Sequence, residues 1–536
     1  MQVVNNIIHS PPGARIPNIS VQQFILDSFR ANLDHIQQVD IETGKYYTCR
    51  DVLEASIALA GALKNYGIVN EDRISVASEN HPNFLIIMCG IFNVGAVFAP
   101  VNPAYTEREF RHMLEINQPR VMFVSRKTEL LLSKIAPTLS WTMKLIQLED
   151  NALTRNVPTL KELLQAHKDI VDPYNYVPAP VGDSSKAMAA IFGSSGTTGF
   201  PKGVTLSHRN LVTYIINSSG TRYLDIRRGD RIIVFLPMFH GYAFGTTLSA
   251  IGFCGTTYVM RSFKMETFLQ SIETYKITYV PLVPPILVLL AKYPSVINYD
   301  FSSVRYLQSG AAPFPKDVAK EVRRRTKVKN IRNGYGMTEL SVTTHVGDIT
   351  RDAENLGSLF PGLLCKVVNP NINEALCANA VGEVCIKGDQ VMLGYFRNPK
   401  VTAETIDKEK WLHTGDLGYF TEDGLLYITG RLKELIKYKG FQVAPSEIEI
   451  IVQSHPGVKD AAVLGKPDEM SGEVPIALVV KQSGSNVTAK EIIDFTNGNL
   501  SPQKWLRGGV KFVEAIPKTP SGKILRRELI KTISKL

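Results

Sequence analysis

The chain has 536 residues, 44% of them hydrophobic and 21% charged, which excludes disorder, collagen and coiled coil as the main state and leaves room for about three domains or subdomains. Its 60 Lys and Arg against 50 Asp and Glu give a formal charge of +10, spread along the chain, a balance that suits polyanionic small molecules such as nucleotides. The one dense basic cluster, Arg323, Arg324, Arg325, Lys327 and Lys329, reads as a solvated helix face, so no nucleic-acid partner is expected.

Met1 to Arg15 carries no apolar h-region, so no secretory signal is expected. Six scattered cysteines (Cys49, Cys89, Cys254, Cys365, Cys377, Cys385) without a C-x-x-C predict neither a zinc site nor a disulfide framework, and fit a reduced intracellular compartment. Val52 to Tyr66 reads as an amphipathic helix, with Leu53, Ile57, Ala60 and Leu63 at helical spacing. Arg73 to Ala77 follows as a strand, Asn83 to Asn93 as a helix and Val94 to Pro100 as extended chain. The apolar stretch Phe84 to Val101 holds Gly90, Asn93, Gly95 and Pro100, so a buried helix running into a strand is expected there and no membrane span. Arg231 to Leu236, Ile277 to Pro281 and Arg305 to Gln308 read as strands, with a helix over Met265 to Tyr275. This alternation predicts α/β layers with largely parallel sheets.

From Leu356 to Tyr427 short β-like runs, such as Leu364 to Val368 and Gly382 to Ile386, predict a β-rich subdomain over about 356–428. A boundary is expected near Thr429 to Lys433, after which Pro445-Ser446-Glu447 starts a helix and Val458 to Leu464 and Ile476 to Lys481 read as strands. The chain ends in Ser534-Lys535-Leu536, the tripeptide read by the peroxisomal import receptor, so a peroxisomal location is expected.

The chemistry begins after the strand-like run Met188 to Phe192. The loop Gly193-Ser194-Ser195-Gly196-Thr197-Thr198-Gly199-Phe200-Pro201-Lys202-Gly203 offers glycines for close backbone approach, hydroxyl donors and one ammonium, a composition suited to phosphate. It is not a Walker loop, since Lys202 is followed by Gly203 and the spacing differs. Read on composition alone, it is equally a flexible Gly/Ser/Thr loop.

The order of its residues resembles the signature loop of the adenylate-forming superfamily, which holds acyl-CoA synthetases, 4-coumarate–CoA ligases, insect luciferases and peptide-synthetase adenylation domains. Asn333-Gly334-Tyr335-Gly336-Met337-Thr338-Glu339 resembles the family's Y-G-x-T-E motif, and Trp411-Leu412-His413-Thr414-Gly415-Asp416 its T-G-D motif. Gly430 to Lys437 resembles the hinge and the start of the mobile domain, and Pro517-Lys518-Thr519-Pro520-Ser521-Gly522-Lys523 the last motif. The resemblance covers essentially the whole chain. It implies a large N-terminal α/β domain (1–429) of two parallel-type subdomains plus the β-rich one, a hinge at 430–433 and a small mobile α+β domain over 434–536.

The resemblance also implies roles. Ser194, Ser195, Gly196, Thr197, Thr198, Gly199 and Lys202 would cradle the phosphates of ATP. Gly310, Ala311 and Ala312 would pass beside adenine and the acyl group, Tyr335 would stack near the adenine with Gly334, Gly336 and Met337 also at the nucleotide, and Thr338 would bond the α-phosphate. Asp416 would accept both ribose hydroxyls with Arg431 beside it, and Glu339 and Thr197 would hold Mg²⁺ through oxygen. Lys523 would be the ammonium that stabilises the adenylation transition state. After the small domain turns about the hinge, Lys437 and Gln442 would reach the nucleotide or its acyl bond, with Lys439, Gly440 and Phe441 on the coenzyme A side. His240 would stand between nucleotide and acyl sites. Singly, each has a plainer reading: Tyr335 as core, Asp416 as a turn residue, Lys523 as a surface charge. Their joint order carries the assignment. The hinge departs from the pattern, with Gly430 where luciferases usually have Asp.

For the substrate pocket, His240, Tyr242, Ala311 and Val342 are expected to line the acid. Beetle luciferases usually have Ser-Gly-Gly-Ala-Pro where this chain has Ser309-Gly310-Ala311-Ala312-Pro313, and a small Thr-Ser-Ala segment where it has Ser341-Val342-Thr343. They also carry an Arg where ungapped alignment places Ser219, with Arg222 close by. The more apolar lining suits an alkyl chain. The expected activity is therefore an acid–CoA ligase on medium- or long-chain fatty acids, with a luciferin monooxygenase and an aryl acid (4-coumarate-type) ligase as alternatives. ATP, Mg²⁺ and coenzyme A are the expected cofactors.

Overall fold

The helix expected from Val52 starts earlier, because Thr48 and Asp51 cap each other's backbone; it runs Cys49–Asn65. Residues 1–194, 201–312, 314, 316–347, 355–439, 441–519 and 522–533 are described by the structure, a computed structural model. Strand Arg73–Ala77 and helix Asn83–Asn93 lie where their patterns place them. The next strand is Val97–Pro100, shorter than expected, since Gly95 turns the chain at φ +81°. The apolar stretch is thus a buried helix and strand, and among the described residues no helix is long and apolar enough to cross a membrane.

Two mixed sheets form the bulk of the chain. The first has seven strands in the order Gly394–Tyr395, Lys202–Ser207, Met188–Ser194, Val97–Pro100, Arg73–Ala77, Val121–Val124 and Lys144–Gln147. It is parallel except at the edge formed by Lys202–Ser207 and Gly394–Tyr395. The second has nine strands, Ser358–Leu359, His345–Val346, Ile331–Tyr335, Tyr306–Ser309, Tyr279–Leu282, Arg231–Val234, Thr256–Val259, Ile36–Asp40 and Tyr46–Thr48, parallel through its middle. Central strands of the first sheet, such as Val97–Pro100 and Val121–Val124, are continuous apolar runs, as a sheet covered on both faces favours. Phe98 joins the two layers: its ring stacks on Phe244 at 5.7 Å and meets Phe84 edge-on at 5.9 Å.

The region read as β-rich contributes Leu364–Val368, Gly382–Lys387, Leu412–Phe420 and Leu426–Arg431 to a six-stranded antiparallel sheet. Its remaining strands, Gln2–Val4 and Ile7–His9, come from the other end of the chain. Ser358–Leu359 and Gly394–Tyr395, inside the same stretch of sequence, leave it for the two large sheets.

The last sheet is Phe441–Val443, Ile436–Tyr438, Gly472–Lys481 and Val458–Asp468, with Val510–Phe512 parallel to Gly472–Lys481. Alternate residues of one strand enter separate cores on its two faces, Ala461 and Val463 on one, Ala462 and Leu464 on the other. This unit bonds to the rest of the chain through, among others, Ser446 Oγ to the Thr429 carbonyl at 2.8 Å and Lys292 Nζ to the Val458 carbonyl at 3.0 Å.

Candidate active site

The site lies where parallel strands of the nine-stranded sheet end and the six-stranded sheet arrives beside them. Tyr335 closes strand Ile331–Tyr335 and is buried. Its hydroxyl donates to Asp416 Oδ2 at 2.8 Å. Asp416 stands in strand Leu412–Phe420 directly opposite Arg431 of strand Leu426–Arg431, and Arg431 Nε meets its other oxygen at 2.9 Å. Each carboxylate oxygen keeps a second lone pair for a further donor. Burial and the neighbouring Asp416 charge push the Tyr335 phenol well up, so it stays a neutral donor.

Glu339 follows in the short turn Thr338–Leu340. It is buried, and its Oε1 accepts from Ser194 Oγ at 2.8 Å and from the Tyr395 hydroxyl at 3.0 Å. The Lys202 ammonium lies 4.9 Å from the centre of the Tyr395 ring. Tyr395 was not singled out from sequence. It reaches the site because Gly394–Tyr395 pairs with Lys202–Ser207 across the sheet edge, a contact that no local spacing reveals. As a hard oxygen donor among hydroxyls, Glu339 fits a magnesium ion shared with phosphates.

Around these residues the backbones run close. A methyl group on Gly334 would lie 2.8 Å from Gln308 Nε2, and one on Gly336 would lie 1.9 Å from the Val342 carbonyl oxygen. Gln308 Oε1, Ser309 Oγ and Asn333 Oδ1 are buried without a protein partner. They flank Gly310 and Gly334, and such orphaned groups suit the polar edge of a planar base. Ala311 sits at φ +73° and Met337 leads into the Thr338–Leu340 turn.

His240 caps the helix Gly241–Gly252: its Nδ1 accepts the Tyr242 backbone N–H at 3.3 Å. The neutral ring therefore carries its proton on Nε2. Burial, helped by the Lys523 ammonium, holds its pKa down to about 4, so it is neutral near pH 7. Tyr242 donates to the Gln308 carbonyl at 2.7 Å, with its ring 3.1 Å from where a methyl on Gly310 would stand. Val342 reaches the same helix, its Cγ2 3.9 Å from a methyl built on Gly241 and 2.8 Å from one on Gly245. Val342 thus packs on the helix that His240 caps, and Tyr242 of that helix packs on Gly310, the residue before Ala311. Ser219 and Arg222 are exposed.

Lys523 enters from the other side of the chain. The Thr519 N–H donates to the Lys523 carbonyl at 2.7 Å, and Gly522 stands at φ +83° against Val283 and Pro285. The ammonium is within electrostatic reach of Arg431, Asp416, Glu339, Glu434 and His240; burial and Arg431 lower its pKa while the carboxylates raise it. Lys437, Lys439 and Phe441 are not brought here. Lys437 and Lys439 are exposed on the hairpin that leads to Phe441, which is itself exposed. Ser195, Gly196, Thr197, Thr198, Gly199 and Gly440 lie outside the described residues, as do Ser534, Lys535 and Leu536; the Gln442 side chain is likewise not described.

Residues 27–396 match the model of the AMP-binding enzyme family, and 447–523 match that of the AMP-binding enzyme C-terminal domain. The chain is 38% identical over 505 residues to a luciferin 4-monooxygenase of Luciola mingrelica, covering 92% of this chain and 90% of that one. It is 38% identical over 499 residues to 4-coumarate:CoA ligase 1 of Petunia hybrida, covering 90% and 88%. Among solved structures, the anthranilate CoA ligase AuaEII in complex with anthranoyl-AMP superposes with a TM-score of 0.87 at 21% identity, covering 97% of this chain and 99% of that one.

Proposed function

The chain belongs to the AMP-binding enzymes, the adenylate-forming family, and from that premise we propose that it is an ATP-dependent acid–CoA ligase acting on fatty acids. The observation that carries this reading is the convergence of Lys523, from near the end of the chain, on Asp416, Arg431, Glu339 and His240.

In the first step a carboxylate oxygen of the acid attacks the α-phosphorus of ATP, the acyl–phosphate bond forms and pyrophosphate leaves. Asp416, held by Tyr335 and Arg431, orients the ribose. Negative charge gathers around phosphorus, and the Lys523 ammonium stabilises it there. His240, neutral with its Nε2–H free of the helix cap, donates toward the acid's oxygen. Magnesium, when bound, would neutralise phosphate charge, and Glu339 is the described carboxylate that fits it. In the second step the thiol of coenzyme A attacks the acyl carbon, AMP leaves and a thioester forms. The exposed hairpin bearing Lys437, Lys439 and Phe441 would then have to replace the Lys523 loop by rotation near Gly430.

Val342 and Ala311 support an alkyl substrate, since neither side chain offers a hydrogen bond to a polar ring. The test is acyl-CoA formation, read by mass spectrometry, across acids of graded chain length and coumarate. Absence of acid-dependent pyrophosphate release with every acid would overturn the reading. A second reading, luciferin oxidation, rests on the 38% identity to the luciferin 4-monooxygenase. Photons with beetle luciferin, ATP and oxygen, and negligible thioester, would decide for it. The peroxisomal location belongs to the same proposal and rests on Ser534-Lys535-Leu536; fusing those residues to the end of a fluorescent reporter tests it.

A further inference from the structure

Strands Gly382–Lys387 and Leu412–Phe420 lose register in the middle of their pairing. Glu383 pairs with Leu417 and Cys385 with His413, so Val384 alone faces Thr414, Gly415 and Asp416. The surplus residues stand out as a bulge, and a bulge re-aims a side chain. Here the re-aimed side chain is Asp416, which points to Tyr335 and Arg431. Gly415 adopts φ +70° to make the turn.

One buried carboxylate clasps the bulge. Glu383 Oε1 accepts the Gly415 backbone N–H at 3.0 Å, and its Oε2 lies 2.8 Å from His413 Nδ1. Thr414 Oγ donates to the Val384 carbonyl at 2.7 Å and accepts the Asp416 N–H at 3.1 Å. The far nitrogen of His413 lies 3.6 Å from Asp407, so the ring is braced on both sides. Two anchors therefore set the backbone that leads into Asp416: Glu383 holds the N–H of Gly415, and Thr414 holds the N–H of Asp416, so a shift of the Gly415 peptide would turn Asp416 about the Thr414 contact.

We propose that Glu383 is the positioning residue of the nucleotide site: by holding Gly415 and His413 together it sets the direction in which Asp416 meets the ribose. The inference rests on the reading of Asp416 as the ribose acceptor. A residue that only stabilised the sheet would affect all nucleotides alike. A positioning residue affects those that have the hydroxyls Asp416 binds.

The experiment compares kcat/KM for ATP, 2′-deoxy-ATP and 3′-deoxy-ATP in acid-dependent pyrophosphate release. Glu383→Gln keeps the size of the side chain but puts a donor where one of its two acceptors stood. It is expected to lower kcat/KM for ATP about tenfold, mostly through KM, while the deoxy analogues change little. Glu383→Asp, which keeps the charge but shortens the reach, should lower the same ratio and serves if the Gln variant does not fold. Asp416→Asn is the control and should abolish ribose discrimination. If it does, and both Glu383 variants lose ATP and deoxy-ATP in equal proportion, the positioning role is overturned and the ribose reading stands. If Asp416→Asn leaves the discrimination intact, the ribose reading falls and the positioning role with it.

Discussion

Val342 Cγ2 lies 2.8 Å from the point where a methyl group on Gly245 would sit, so the two residues share one small volume beside the helix that His240 caps, where the acid is proposed to bind. Val342 holds φ +89°, a conformation that a β-branched residue adopts only under constraint. The constraint comes from Gly336: the Val342 carbonyl packs where a side chain on that glycine would be.

Trimming Val342 should therefore deepen the pocket. Val342→Gly also relieves the left-handed backbone, which offsets part of the lost packing. We expect kcat/KM to move toward longer or bulkier acids by about 10-fold or more relative to the shortest acid used. Gly245→Ala should move it the other way. An acid profile unchanged in both variants would remove these two residues from the pocket wall.

Lys523 and Lys437 should separate the half-reactions. Lys523→Ala is expected to cut acid-dependent pyrophosphate release by about 10²–10³-fold while sparing thioester formation from supplied acyl-adenylate. Lys437→Ala should do the reverse, because in this structure its side chain is exposed on the hairpin and takes no part in the Lys523 cluster. Equal damage to both steps by either variant would contradict the alternation of the two loops.

What the sequence revealed of this site was the set of residues whose chemistry requires their type: the carboxylates Glu339 and Asp416, the ammonium of Lys523 and the phenol of Tyr335. Their neighbours were hidden for a physical reason. Tyr395 and Glu383 act through strand pairing with partners far along the chain, and pairing is decided by which edge is open, not by local pattern. The same holds for the fold. Helix Asn83–Asn93 and strand Arg73–Ala77 are written in periodicity. That Ile7–His9 would pair with Leu364–Val368 is not, since each is a short apolar run that fits any antiparallel edge.

Acid should destabilise the folded chain through its buried imidazoles. Burial holds His208, His240 and His345 down to about 4, about 4 and about 3, below the ordinary 6.5. At pH 7 they are neutral in both states and cost nothing. As the pH falls below 6.5 the unfolded chain takes up protons that the folded one refuses, so stability drops until about pH 4. His413 opposes this: Glu383 raises its pKa, so its contribution is complete below 6.5 and is lost as the pH rises through the raised value. His208 accepts the Val21 N–H through Nδ1 at 3.3 Å, and Asn can offer an acceptor there without titrating. His208→Asn is expected to shrink the pH dependence of the unfolding free energy between pH 6.5 and 5 by about 1 kcal/mol per pH unit. Urea unfolding at four pH values measures it, and an unchanged slope would rule out this residue as a source.

Gly415 offers the sharpest test of the bulge itself, because conformation and space can be separated there. A methyl group on Gly415 would meet nothing within 4 Å, so any cost of a side chain is the cost of φ +70°. An L-residue pays about 1–2 kcal/mol in that region, and Asn less than Ala because its short polar side chain bonds locally. Gly415→Ala should therefore lower stability by about that amount, with Gly415→Asn milder. If the bulge relaxes to escape the strain, Asp416 turns with it, and the Ala variant should raise KM for ATP more than for 2′-deoxy-ATP. A stability loss with no change in nucleotide preference would mean that the strain is absorbed elsewhere in Leu412–Phe420 and that the direction of Asp416 is set by Tyr335 and Arg431 alone.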